Sequence, residues 1–121
     1  MKLQNYMEIK DSARIQHILD AAEDIRIFLQ GQNESNFKSN KMLFFAISRA
    51  IEIIGEASSR VSEATKSRYP TLPWREAIGM RNILIHAYVE VNKEIVWKTA
   101  TVEIPNFTAE IRRLGLDHFK D

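Results

Sequence analysis

The feature that most constrains the fold is an unbroken series of apolar residues in the middle of the chain, spaced three or four positions apart. The series consists of Leu43, Ile47, Ala50, Ile54, Ala57 and Val61. Residues with this spacing lie along one side of an α-helix, and such a stripe favours packing against another helix at a shallow angle. The sequence therefore predicts a long amphipathic helix at the centre of the chain.

Two further series with helical spacing flank this central segment. The first is Ile15, Ile18, Ala22, Ile25 and Leu29, and the last is Val96, Ala100, Ile104, Phe107, Ile111 and Leu114. Gly31 and Gly115 follow these series, where glycine commonly ends a helix, and Asn92 is expected to cap the start of the last helix. Pro105 lies inside the last series and is expected to kink or split that helix.

The segments between these series predict shorter elements. Residues 32–36 are polar and are expected to form a turn, whereas residues 62–68 predict a short turn of helix. Pro73 suits the first position of a helix that would run through Ile78 to about Tyr88. We find no alternating strand pattern, no internal repeat and no linker. The expected fold is all-α, an up-and-down bundle of four to five helices that forms a single domain over residues 1–121.

The composition limits the kinds of partner and compartment. The net charge of the 121-residue chain is only +1, so any contact with RNA must come from a local cluster of charge. The chain has no cysteine, which excludes disulfides and agrees with a reducing cytoplasm. The longest apolar run, Met42 to Ile47, is far shorter than the roughly 20 residues that cross a bilayer. With no secretory signal visible, we expect a cytoplasmic protein that does not bind membranes.

Residues 81–88 carry the candidate chemistry. Arg81 can hold a phosphate at any physiological pH, and His86 can both accept and donate a proton near neutrality. Such a pair is the minimum needed to cleave an RNA phosphodiester without a metal. On a straight helix the two side chains would lie roughly 140° apart and about 7.5 Å apart along the axis, so they would not share one face.

Three arrangements could still bring these groups to one site. Asn82, one turn before His86, could hydrogen-bond the imidazole while Arg81 reaches around the helix. Alternatively, the helix could end near His86, so that its last turn swings the histidine inward. In the third arrangement two copies of the motif face each other across a dimer and complete each other's sites.

Each of these residues also has a purely structural interpretation. An isolated R-x4-H pair occurs by chance in many helices, and a histidine between two apolar residues is commonly half-buried. Tyr88 could be an aromatic at the edge of the core. Gly55 interrupts the best helix and predicts close approach of a neighbouring helix. Glu56 could pair with Arg81, or instead with Arg60 one turn along.

Four ordered blocks of sequence resemble the HepT-like toxin branch of the HEPN superfamily. The blocks are residues 46–57, which end in Ile54-Gly55-Glu56-Ala57; residues 69–74; residues 79–88, which contain the R-x4-H-x-Y motif; and Val91-Asn92 with Val96-Trp97. The resemblance covers nearly the whole chain. Members often carry an aspartate near the start of the second long helix, where this chain has Asn40. Trp74 and Trp97 are expected to be core or interface anchors and not platforms for base stacking.

The resemblance implies a helical bundle that dimerises and a metal-independent endoribonuclease with no cofactor. It also implies a toxin whose antitoxin is a minimal nucleotidyltransferase, which transfers adenylyl groups from ATP to a tyrosine. Carried over to this chain, Arg81 and His86 are the catalytic pair and Tyr88 is the adenylylation site. Asn82 and Glu56 are expected to support the pair. The alternative is a non-catalytic helical binding partner of the nucleotidyltransferase, and a bundle with no site at all is a third possibility.

Overall fold

The computed structural model describes residues 10–83 and 92–121, and these residues form a helical bundle with no β-strand among them. In chain order the helices are α1 (Asp11–Phe28), α2 (Glu34–Ser39), α3 (Lys41–Arg60), α4 (Glu63–Arg68) and α5 (Trp74–Gly79), which continues as a 3₁₀ turn over Met80–Asn82. Residues 93–113 form α6, in which a π-helical segment, Thr99–Glu103, separates the α-helical parts Lys93–Lys98 and Ile104–Arg113. A last 3₁₀ turn, Leu116–His118, follows. The all-α prediction is confirmed.

Helix α3 is the centre of the bundle and contacts α1 along most of its length. It also contacts α2, α5, the 3₁₀ turn after α5, and α6. The three apolar series of the sequence form the core that these helices share. All their members are buried except Ala22, Leu29, Leu43 and Leu114, which are half-buried against the same core. Each fully buried isoleucine contributes about 1.5–3 kcal/mol, so this core drives the folding of the bundle.

Side-chain caps begin four of the described helices, and the first is Asn33, which accepts a hydrogen bond from the Asn36 N–H at 2.8 Å at the start of α2. Asn40, Ser62 and Asn92 each accept a hydrogen bond from the backbone N–H three residues ahead, at 3.0, 3.2 and 3.1 Å. Such a cap stabilises a helix by about 1 kcal/mol. Asn40 therefore fills the capping role at the start of α3. Gly31 and Gly115 have φ values of 73° and 75° in the turns that follow α1 and α6, as their positions after the apolar series predict.

Two aspartates, Asp11 and Asp121, hold one end of the bundle together through hydrogen bonds. The Asp11 carboxylate accepts hydrogen bonds from the backbone N–H of Ser62 (2.9 Å), the Ser62 hydroxyl (2.6 Å) and the Thr65 hydroxyl (2.5 Å). Partial burial would raise the pKa of Asp11, but these hydrogen bonds and the nearby Lys66 ammonium lower it overall. Asp121 in turn accepts hydrogen bonds from the backbone N–H groups of Asp11 and Ser12. These bonds join the start of α1 to α4 and to the end of the chain.

Two predictions about the connecting segments are wrong. The turn expected over residues 32–36 is shorter, because Asn33 caps a helix that begins at Glu34. Phe37 anchors this helix in the core, where its ring lies 5.8 Å from that of Phe44. Pro73 precedes the next helix as its N-cap and is not its first residue, since its ψ of 66° is not helical.

The continuous α-helix expected from Pro73 to about Tyr88 is also corrected. The α-helix ends at Gly79, and the backbone tightens into a 3₁₀ turn over Met80–Asn82, with ψ near −22° at Gly79 and Met80. The remainder of that predicted helix lies outside the described residues. The split expected at Pro105 is confirmed, because the π-helical segment ends just before it. None of the described helices is both long and apolar enough to cross a membrane.

Candidate active site

The 3₁₀ turn after α5 places Arg81 and Asn82 at the surface, opposite the exposed side of α3. A shallow cavity of about 470 Å³ lies between the two elements. The turn contributes Arg81 and Asn82 to its walls, and α3 contributes Arg49, Glu52 and Glu56. Every residue that lines the cavity is charged or an amide, so the cavity suits a polar ligand that remains in contact with water.

The position of Arg81 is set by its backbone, which lies directly against Gly55 of α3. A Cβ atom added to Gly55 would lie 2.1 Å from the Arg81 nitrogen, 2.7 Å from the Met80 carbonyl carbon and 2.8 Å from the Arg81 Cα. No real side chain tolerates such distances. The close approach of a neighbouring helix that Gly55 predicted is confirmed, and the neighbour is the segment that carries the candidate arginine.

Of the two ion pairs that the sequence offered as alternatives for Glu56, one is present in the structure. The carboxylate of Glu56 accepts a hydrogen bond from Arg60 Nε at 3.0 Å, one turn along α3, and does not pair with Arg81. The prediction of a Glu56–Arg81 pair is therefore wrong, and the alternative pair with Arg60 is the one observed. The physical reason is that α3 meets the Arg81 backbone at Gly55, while Glu56 points to solvent beside its own helical neighbour.

Arg81 differs from the other two arginines on this side of the molecule. Arg49 pairs with Glu52 and Arg60 pairs with Glu56, whereas no carboxylate in residues 10–83 or 92–121 forms an ion pair with Arg81. Exposed pairs of this kind add only a few tenths of a kcal/mol to stability, so their main effect is to balance charge locally. Among the described residues, Arg81 is therefore the arginine of these three with which no carboxylate pairs.

The sequence analysis missed two residues of this cavity, Arg49 and Glu52. Arg49 lies two turns and Glu52 one turn before Glu56 on the exposed side of α3, and helical spacing places all three on one stripe. That stripe was visible in the sequence. What was not visible is that the 3₁₀ turn of residues 80–82 crosses α3 beside it.

Several predicted site features fall in residues 84–91, outside the described residues. These features are the positions of His86 and Tyr88, the hydrogen bond between Asn82 and the imidazole, and the helix end expected near His86. The structure does place Asn82 beside Arg81 at the cavity wall.

The two tryptophans belong to the core, as predicted. Trp74 is 8% exposed and donates a hydrogen bond from Nε1 to the Tyr69 carbonyl at 2.9 Å. Its ring meets Phe107 edge to face at 6.2 Å. Trp97 is half-buried and packs against Phe37, with ring centroids 5.5 Å apart. Neither ring lines the cavity at Arg81.

Comparison with known proteins identifies relatives over most of the chain. A family model described as "Ribonuclease HepT-like" matches residues 18–114. A protein of Methanocaldococcus jannaschii named "Putative RNase" is 37% identical over 94 residues, which cover 78% of this chain and 86% of that protein. A "Probable ribonuclease HepT" of Thermococcus cleftensis is 38% identical over 100 residues, which cover 83% of this chain and 91% of the relative. No solved structure matches the chain.

Proposed function

Since the chain belongs to the HepT-like ribonuclease family, we propose that it is an endoribonuclease and that Arg81 holds the scissile phosphate at the cavity beside α3. The observation that carries this proposal is the state of Arg81. Its guanidinium is exposed at a polar cavity and forms no ion pair with a described carboxylate, while its backbone is fixed against Gly55. An anion that enters the cavity would pair with this exposed guanidinium.

The proposed reaction is an attack of the RNA 2′-hydroxyl on the adjacent phosphate. The bond from O2′ to phosphorus forms while the bond from phosphorus to O5′ breaks, so the enzyme supplies no nucleophile. A histidine imidazole accepts the proton of the 2′-hydroxyl, and a protonated imidazole donates a proton to the departing O5′. Arg81 stabilises the negative charge that grows on the phosphate oxygens. The products are a 2′,3′-cyclic phosphate and a 5′-hydroxyl, and the mechanism assigns no step to a divalent cation.

His86 is the proposed acid and base, because histidine is the side chain type that most readily exchanges a proton near neutral pH. The entering and leaving oxygens lie on opposite sides of the phosphorus, so one imidazole does not easily serve both. We therefore propose a homodimer in which two copies each contribute a histidine near one scissile phosphate. Asn82, beside Arg81 at the cavity wall, is proposed to orient the imidazole.

Tyr88 is the proposed point of control. A nucleotidyltransferase antitoxin would transfer an adenylyl group from ATP to the Tyr88 hydroxyl and release pyrophosphate. The attached phosphate and nucleoside would place negative charge and bulk two residues from His86. Electrostatic repulsion and steric exclusion would then both oppose binding of the substrate phosphate, so the modified toxin would not cleave RNA.

The test is cleavage of labelled single-stranded RNA by the purified protein in the presence of EDTA. Arg81→Ala should lower kcat about 10²- to 10³-fold, the usual loss when one group that stabilises a developing charge is removed. Arg75→Ala is the matched control, because Arg75 is an exposed arginine on the same helix that does not line the cavity. His86→Ala should remove cleavage, and a 2′-deoxy substitution at the cut site should make the RNA resistant. Full activity in Arg81→Ala would refute the assignment.

A second arm tests the control by adenylylation. Incubation with the partner nucleotidyltransferase and ATP should add adenylyl mass to the wild-type protein and not to Tyr88→Phe, and cleavage should fall only in the wild type. If the wild-type protein cuts no RNA yet forms a stable complex with the nucleotidyltransferase, the non-catalytic binding partner becomes the correct description.

A further inference from the structure

The contact between Gly55 and the Arg81 backbone does more than pack two elements. Gly55 lies in the buried middle of α3, where glycine costs roughly 1 kcal/mol relative to alanine. The three atoms nearest to such a Cβ all belong to backbone, namely Arg81 N and Cα and the Met80 carbonyl carbon. Backbone cannot rotate out of the way as a flexible side chain can, so a methyl group at this point would have to displace the 3₁₀ turn.

This contact also lies next to the cavity. One wall consists of Arg49, Glu52 and Glu56 on α3, and the other consists of Arg81 and Asn82 on the turn. Gly55 is the neighbour of Glu56 in α3, and the atom nearest to a Cβ built on Gly55 is the Arg81 nitrogen. The contact therefore joins a residue next to one wall to a residue of the other.

We propose that Gly55 is a positioning residue for the ribonuclease reaction, and that it acts by fixing the distance of the Arg81 guanidinium from the α3 wall. The inference rests on the proposed function of Arg81. Ordinary van der Waals contact begins at 3.4 Å, so a Cβ at 2.1 Å would push the Arg81 backbone away by about 1 Å. A displacement of about 1 Å at a catalytic group can cost on the order of 10²-fold in rate.

Gly79 offers a matched control for substitution of this glycine. It lies in α5, two residues before Arg81, with an ordinary φ of −59°. A Cβ at Gly79 has no heavy atom within 4 Å. Gly55→Ala and Gly79→Ala therefore introduce the same methyl group close to the same arginine, and only the first should move it.

The decisive experiment is a double-mutant cycle on cleavage of the labelled RNA. Gly55→Ala should lower kcat about 10²-fold in the wild-type background, while Gly79→Ala should stay within about threefold. In the Arg81→Ala background, Gly55→Ala should cost less than about threefold more, because the residue through which it acts has been removed. An equal loss in both backgrounds would show that Gly55 supports only the fold, and the inference would be overturned. Unchanged kcat in folded Gly55→Ala would also overturn it.

A structural measurement keeps the inference separate from the proposed function. Crystals or amide hydrogen exchange of Gly55→Ala should show the Met80–Asn82 segment displaced or less protected, with Gly79→Ala as the reference. If the alanine variant folds poorly at 25 °C, the same measurements are made with trimethylamine N-oxide, which favours burial. Displacement without any RNA cleavage by the wild type would refute the ribonuclease and leave the contact established. An unmoved Arg81 Cα in the folded variant would refute the positioning role even if the wild type cleaves RNA.

Discussion

Two short segments of this bundle depart from α-helical geometry in opposite directions, and they differ in what surrounds them. The backbone of Met80–Asn82 tightens into a 3₁₀ turn, and it packs so closely that α3 can offer only a glycine there. The backbone of Thr99–Glu103 widens into a π-helix, and it borders an open groove. The candidate site lies at the tight segment.

One of the two departures has a cause within its own helix. Pro105 accounts for the wide segment, since it lacks an N–H and its ring opposes the carbonyl four residues back, that of Thr101. A π-helical turn relieves that conflict within α6 itself. The tight segment contains no proline, and it packs directly against the other helix, where α3 presents Gly55. The wide segment thus follows from a residue of its own helix, whereas the tight segment lies at a contact between helices.

The difference in packing is visible at the groove. A volume of about 350 Å³ lies between the second half of α1 and the π-helical part of α6. Its lining includes the apolar residues Ala22, Ile25, Leu29, Ala100 and Ile104. Between Gly55 and the tight segment the corresponding space is filled by backbone, and the polar cavity lies beside that contact at the surface. A groove with spare volume can accept added atoms, whereas the contact between α3 and α5 cannot.

The largest expected effect comes from adding volume on the tight side. Ala77 of α5 is 1% exposed and faces the core, and Ala77→Leu should destabilise the protein by about 1–3 kcal/mol through overpacking. Urea denaturation measures the loss. A stability equal to that of the wild type would show that the α3–α5 contact is looser than the structure indicates.

The next largest effect is expected from the hydrogen bonds of Asp11, which join α1 to α4. Asp11→Asn replaces a carboxylate that accepts three hydrogen bonds, and it should cost about 1–2 kcal/mol at pH 7. The pKa of Asp11 is lowered in the folded state, so its contribution is fully present well above pH 3.8 and is lost as the pH falls through the lowered pKa. The free energy of unfolding, measured between pH 2 and pH 7 in roughly unit steps, should therefore fall more steeply in acid for the wild type than for Asp11→Asn.

Because Asp11 lies at the start of α1, outside both segments, its loss should lower the stability of the whole bundle. The difference in stability between variants of the tight and wide segments should stay the same in the Asp11→Asn background. A changed difference would mean that the two segments are coupled through that end of the bundle.

A smaller effect of opposite sign is expected on the wide side. Ala22 is half-buried at the groove, and Ala22→Leu should fill part of it and stabilise the protein by about 0.5–1 kcal/mol. Thermal denaturation compares it directly with Ala77→Leu, which makes the same substitution. If both leucines destabilise equally, the contrast between the two regions does not hold.

The smallest effect is expected for Pro105→Ala. A proline inside a regular helix costs about 3 kcal/mol, but here the π-helical segment has already relieved the conflict. We therefore expect the stability to change by less than about 1 kcal/mol, as urea denaturation would show. A gain near 3 kcal/mol would mean that the proline is still opposed by the helix.

Much of this fold could be predicted from the amino-acid sequence. Apolar spacing identified the buried sides of α1, α3 and α6, and capping chemistry identified Asn92 and Gly115 as boundaries. These features depend on neighbours a few residues apart, for which helical geometry is a reliable guide. Helix α2 was missed because Phe37 is its only buried residue, and a single residue has no period.

The motif of residues 81–88 and the interruption at Pro105 could be predicted from the sequence, because the effect of a proline and the charge of an arginine belong to the residue itself and not to its surroundings. The choice of Arg60 over Arg81 as the partner of Glu56, the partner of Gly55, and the inclusion of Arg49 and Glu52 in one cavity with Arg81 came only from the packed bundle. The contacts of α3 with the segment of Arg81 join residues about 25 to 32 positions apart along the chain. Their distances depend on how all the helices pack together in the core, so the spacing of residues within one segment does not predict them.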